Sequence, residues 1–171
     1  EIARELGVDG VVIGCLTADG EVDVPRNKAL IKAAGNMSVT FHRAFDMCRD
    51  PFESLEKIIL LGCDRILTSG QEPKAEQGIP LLNKLVEKSG ERIIIMPGSG
   101  INTGNIAAIA QGTGAKEFHL SARAPGESGM VYRNPRVKMG GEPIVINEYE
   151  QMVTQAELVK NTLRALEQKN P

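Results

Sequence analysis

The sequence lacks an excess of either charge: 20 Lys and Arg stand against 22 Asp and Glu, a formal net charge of −2. A field that weak argues against nucleic acid and anionic lipid as partners and leaves small molecules or proteins. No run approaches the ~18 apolar residues of a membrane span, and no segment has the charged, apolar, small succession of a secretory signal. Cysteine is scarce and odd in number, at Cys15, Cys48 and Cys63. That fits free thiols in a reducing, cytoplasmic setting better than a disulfide framework. Nothing in the composition looks disordered; with 42% hydrophobic content, 171 residues can build the core of one domain spanning 1–171. An initiator Met is also missing: EIARELGVDG reads as the tail of a helix entering a strand.

Apolar runs bounded by turn signals recur along the chain: GVVIGCL at 10–16, SVTFHRAF at 38–45, DRILTSG at 64–70, RIIIMPG at 92–98 and KEFHLSA at 116–122. From Val11, Val39, Arg65, Ile93 and Glu117 the spacings are 28, 26, 28 and 24 residues, which is one repeating unit. Helical spacing fills the gaps at Pro25 to Ala34, Pro51 to Leu61, Ile79 to Val86, and Asn102 to Gln111 with Asn102 or Thr103 as cap. A last helix is expected from about Glu148 to Leu166, with Met152, Val153, Ala156, Val159, Leu163 and Leu166 on one face. Short, nearly all-apolar strands alternating with helices mean an α/β fold with parallel strands covered by crossover helices. A doubly wound sheet and a (β/α)₈ barrel both satisfy this; the regular unit and the late GSG turn favour a TIM-type barrel. About five of its eight units are present, and the native protein is expected to be longer, because eight units need roughly 200 residues or more.

In a barrel the site lies at the carboxyl ends of the strands. Those ends carry Gly14-Cys15-Leu16-Thr17, His42-Arg43 with Asp46, Thr68-Ser69-Gly70, Pro97-Gly98-Ser99-Gly100, and His119 with Ser121-Ala122-Arg123. Strand alternation turns Phe41 to the helices and Thr40 and His42 inward, and turns Phe118 and Leu120 out with His119 and Ser121 in. His42, Arg43, Asp46 and His119 are therefore candidate catalytic residues, with His42 as general acid or base oriented by Asp46 or Arg43. A histidine satisfied within a polar barrel layer is the plainer alternative for each. Gly98, Ser99 and Gly100, with Ser121 and Arg123, are candidate anion-binding residues for a phosphorylated or carboxylated small molecule, the alternative being a glycine turn needed only for its backbone geometry. The segment 122–143 is too long and too rich in glycine and proline for an ordinary connection, and reads as a lid or an interface. Arg123, Arg133, Arg136 and Lys138 outnumber Glu127 and Glu142 there, which favours an anionic ligand, with a solvated loop as the alternative. Cys15 and Cys48 close neighbouring strands and could share a soft metal such as Cu(I), although two free thiols by chance account for them as well. Cys63 precedes its strand, at the opposite end.

Taken together, VTFHRAFDM, DRILTSG, IIIMPGSGI, EFHLSAR, SGMVYRN and VKMG resemble the CutC family, named as copper homeostasis proteins, from about Val8 to the last helix. The resemblance implies a TIM-type barrel, a cytoplasmic setting that in animals is also nuclear, a homo-oligomer and copper binding. The cysteines suggested as copper ligands in the family have no counterpart in this sequence, so Cys15 and Cys48 rest on position alone. Copper homeostasis is the role the resemblance implies; a barrel enzyme acting on a small anionic substrate is the alternative that the residues themselves suggest.

Overall fold

The computed structural model describes residues 2–137, 139 and 146–167. The element order is α1 (Ile2–Glu5), β1 (Gly10–Ile13), α2 (Val24–Ala34), β2 (Ser38–Phe41), a 3₁₀ turn (Arg43–Met47), α3 (Pro51–Leu61), β3 (Arg65–Thr68), α4 (Ile79–Ser89), β4 (Ile94–Pro97), α5 (Ile106–Thr113), β5 (Arg123–Glu127), β6 (Glu150–Thr154) and α6 (Ala156–Glu167). Strands β1 to β4 form one parallel sheet in sequence order, with Val12 opposite Thr40, Thr40 opposite Arg65 and Arg65 opposite Ile94. Strands that pair in sequence order through helical crossovers are the expected βα repeat, part of a TIM-type barrel.

Alternation decides what each strand buries. Val39, Phe41, Ile66 and Ile95 turn to the helices and, with Leu55, Ile58, Leu82, Leu85 and Ile109, make a core in which Phe41, Leu55 and Ile58 are fully buried. The opposite, barrel-side face carries Val12, Thr40, Arg65, Leu67, Ile94 and Met96, all partly or fully open. Helix starts are capped locally: Asp23 accepts from the Arg26 N–H, and Asp50 from the Phe52 and Glu53 N–H groups, with Pro51 opening α3. Buried Asn27 on α2 accepts from the Cys15 N–H and donates to the Cys15 carbonyl, pinning the loop after β1.

Three expectations change. The fifth run does not form an extended strand: it joins β4 through a single parallel bridge, Gly98 to His119, plus an ion pair that crosses the barrel-side face from Arg65 Nε to Glu117 Oε2 at 2.6 Å. The expected last helix starts at Ala156, because Glu150–Thr154 pairs antiparallel with Arg123–Glu127 as a two-stranded ribbon. A positive φ of 44° at Ala122 turns the chain out of the barrel course and into β5. Helix α5 begins at Ile106 rather than Asn102, because Asn102 and Asn105 close a turn on each other's backbone first. Lys138 and Glu142, part of the proposed lid, lie outside the described residues.

Candidate active site at the carboxyl ends of the strands

His42 continues β2 by one ladder bond, its N–H donating to the Ile13 carbonyl at 2.8 Å, and then caps the 3₁₀ turn. Its Nδ1 accepts from the Ala44 N–H at 3.1 Å. Neither Asp46 nor Arg43 touches the imidazole through a hydrogen bond, so backbone rather than a charged side chain orients it. Gly14 makes room for the ring: a Cβ at that position would fall 2.6 Å from His42 Nδ1. His119 has a similar seat beside Gly98, where an added Cβ would come within 3.3 Å of the His119 Cβ. Phe118 and Leu120 lean on the core, as alternation requires, and His119 is exposed.

Arg43 and Asp46 do pair, at 2.6 Å between Nε and Oδ2, but the pair serves the loop after β3. The Asp46 carboxylate, 7% exposed, accepts from the Thr68 hydroxyl at 2.5 Å, the Ser69 N–H at 3.0 Å and the Gln71 N–H at 3.3 Å. Arg43 Nη2 donates to Ser69 Oγ at 2.9 Å, while its guanidinium stays partly open at 43%. A carboxylate with that many donors is held by charge-assisted hydrogen bonds and ties β2 to β3 at the rim.

At β4 the chain turns through two consecutive positive φ values, 85° at Ser99 and 73° at Gly100. Ser99 Oγ donates to the Pro73 carbonyl, and the stem of Lys74 lies across Gly100, 3.2 Å from where a Cβ would be. The N–H groups of Ser99, Gly100 and Ile101 have no acceptor among the described residues. Ser121 and Arg123 lie apart from this turn in bonding terms. The Ser121 carbonyl accepts from Thr154, and Arg123 opens the ribbon opposite Thr154. Arg133 stacks on the Tyr149 ring at 4.2 Å in the connection between the two strands of that ribbon.

The three cysteines are free thiols. Cys48 is buried, burial pushes its thiol pKa up, and its sulfur and carbonyl both accept from Gln71 Nε2. Cys15 is half-buried, and Cys63 lies before β3 with its thiol pushed up to about 11 by burial. The Cys48 sulfur is enclosed and already engaged by Gln71, so Cu(I) there would have to displace both the thiol proton and that bond. Among the described residues no group of three or more His, Cys, Asp or Glu is placed to hold a metal. Asn27, Gln71 and Lys74 were not singled out from sequence: each is a lone polar residue whose partner is distant in the chain.

The sequence model of the CutC family matches residues 1–124. This chain belongs to the CutC family. A CutC family protein of Bacteroides thetaiotaomicron is 57% identical over 166 residues, covering 97% of this chain and 66% of the relative. One from Chromobacterium violaceum is 48% identical, covering 98% and 67% respectively. The chain thus spans about two thirds of the length of the curated CutC proteins it matches. A crystal structure of a candidate copper homeostasis protein, CutC of Streptococcus agalactiae, aligns at a TM-score of 0.66 and 34% identity over 68% of this chain and 58% of that one. No helix among the described residues is long and apolar enough to cross a membrane.

Proposed function

We propose that this CutC chain serves copper homeostasis, and that it does so at the carboxyl-end mouth by binding a small phosphorylated or carboxylated molecule rather than by holding Cu(I) on its own thiols. The role in copper homeostasis is supported by family membership and by the description of the Streptococcus agalactiae neighbour. The chemistry is supported by one observation: several donors at the strand ends have no acceptor among the described residues. They are His42 Nε2, Arg43 Nη1 and the N–H groups of Ser99, Gly100 and Ile101. Donors of this kind suit an oxyanion and have no affinity for a soft cation. His119, with no side-chain hydrogen bond among the described residues, is the candidate for moving a proton. Asp46 acts through Arg43 and the loop after β3.

Two measurements test this. Titration of the reduced chain with Cu(I) against a competing chelator should give the same result for the native sequence and for the double variant Cys15→Ser, Cys48→Ser. Loss of a tightly held copper in the variant alone would return the role to those thiols. Crystals soaked with phosphorylated metabolites should show density at Ser99–Ile101 and His42, and an empty mouth would remove the anion reading.

A further inference from the structure

The His42 ring is fixed in a way that leaves one chemistry open. The Ala44 backbone N–H, 3.1 Å from Nδ1, can only donate, so Nδ1 is the unprotonated nitrogen. In the neutral ring the proton then sits on Nε2, which has no partner among the described residues. The main chain is held on both sides, by the bond from the His42 N–H to Ile13 and by the Phe45 N–H donating to the His42 carbonyl. Gly14 faces the ring: a Cβ there would lie 2.6 Å from Nδ1 and 2.7 Å from Cε1, closer than real atoms approach, so a side chain would drive the imidazole off the Ala44 N–H. The next residue, Arg43, has committed Nε to Asp46 and Nη2 to Ser69.

We infer that His42 is a hydrogen-bond donor to an oxyanion, acting through Nε2–H, and not a general base, with Gly14 as the positioning residue that holds it in this tautomer. A ring whose only lone pair already receives the Ala44 N–H has none left to take a substrate proton. A fixed imidazole N–H with no partner instead recognises a carboxylate or phosphate oxygen. The ligand half rests on the mouth being the binding site; the tautomer does not, and the two separate experimentally.

Imidazole ¹⁵N spectra of the chain report the tautomer directly: a pyrrole-type Nε2 and a pyridine-type Nδ1 are expected for His42. A protonated Nδ1 in the neutral ring overturns the inference. In Gly14→Ala the pattern should collapse to a mixture, and an unchanged pattern removes Gly14 from the role. Side-chain replacements carry the test even if Gly14→Ala does not fold. His42→Asn keeps an acceptor for the Ala44 N–H but has no donor at the Nε2 place; His42→Gln offers that donor without the cap. Titrations with inorganic phosphate and with malonate should shift the Nε2 resonance saturably, and the tighter of the two names the phosphate or carboxylate class. His42→Asn should keep its unfolding temperature yet bind about tenfold more weakly, the loss of one hydrogen bond to a charged group. His42→Gln should bind better than His42→Asn at a lower unfolding temperature. Equal binding by His42→Asn and the native chain overturns the donor role. If neither anion shifts any resonance at the mouth, the oxyanion half falls with the mouth reading while the tautomer stands.

Discussion

In the parallel sheet the residues facing the helices, Phe41, Ile66 and Ile95, are at most 3% exposed, whereas all five residues of β6 in the ribbon are exposed. Both regions are regular β-structure with continuous pairing, so hydrogen bonding is not what separates them. The sheet draws its stability from side chains taken out of water by α2 to α5, while the ribbon rests on its ladder and on a few polar contacts such as Arg133 on Tyr149. A two-stranded ribbon without a covered face is marginal by itself. The lesson is that one face of the chain sets its stability and the other end can vary at little cost.

Substitutions should expose that contrast in graded fashion. Phe41→Ala, in the fully buried layer, should cost about 4 kcal/mol in urea unfolding. Asp46→Ala should cost about 2–3 kcal/mol, because the Thr68, Ser69 and Gln71 donors and the Arg43 guanidinium all lose their acceptor. A loss below about 0.5 kcal/mol would mean that water replaces the carboxylate at the rim. Alkaline pH gives a third handle on the sheet. Burial raises the folded Cys63 pKa from the ordinary thiol value near 9 to about 11, so the folded state holds that proton more tightly than the unfolded state. The stability from this term is complete below pH 9 and is lost as pH rises towards 11; Cys63→Ala should flatten the fall measured by thermal unfolding. At the far end of the scale, Val153→Ala in the ribbon should move stability by less than about 0.5 kcal/mol. A larger effect would show that the ribbon shares the sheet's core.

How far the fold could be read from sequence follows the same division. Strands β1 to β4 and helices α2 to α4 were legible because alternation and 3.6-residue spacing are local records of the buried face, and Pro51 and Asp50 mark their helix start without ambiguity. The segment Glu150–Thr154 was not. Met152 and Val153 lie at helical spacing from Ala156 and Val159, but their strand state comes from pairing with Arg123–Glu127, more than twenty residues away. Asn102 resembles a helix cap and instead closes a turn with Asn105, a preference that its side chain meets equally well. For the candidate site, strand ends placed His42, Arg43, Asp46 and Ser99 at the carboxyl-end mouth, since the end of each apolar run is itself a local signal. Their partners stayed hidden. Nothing in the string VTFHRAFDM says that Asp46 will reach the backbone of Ser69, or that the Ala44 N–H will claim His42 Nδ1. Such bonds depend on where a neighbouring loop comes to rest.

The Arg65–Glu117 pair gives the barrel a tether whose strength the solvent controls. Both side chains remain about one third in contact with water, so dissolved ions screen their attraction, with a Debye length of about 10 Å at 0.1 M salt and about 3 Å at 1 M. That link to β3 and the Gly98–His119 bridge are the polar ties between the 116–120 stretch and the parallel sheet among the described residues, beside the packing of Phe118 and Leu120 on the core. Raising salt therefore loosens the stretch that carries His119 while the apolar core holds, and amide exchange at His119 should quicken well before the rest of the molecule opens.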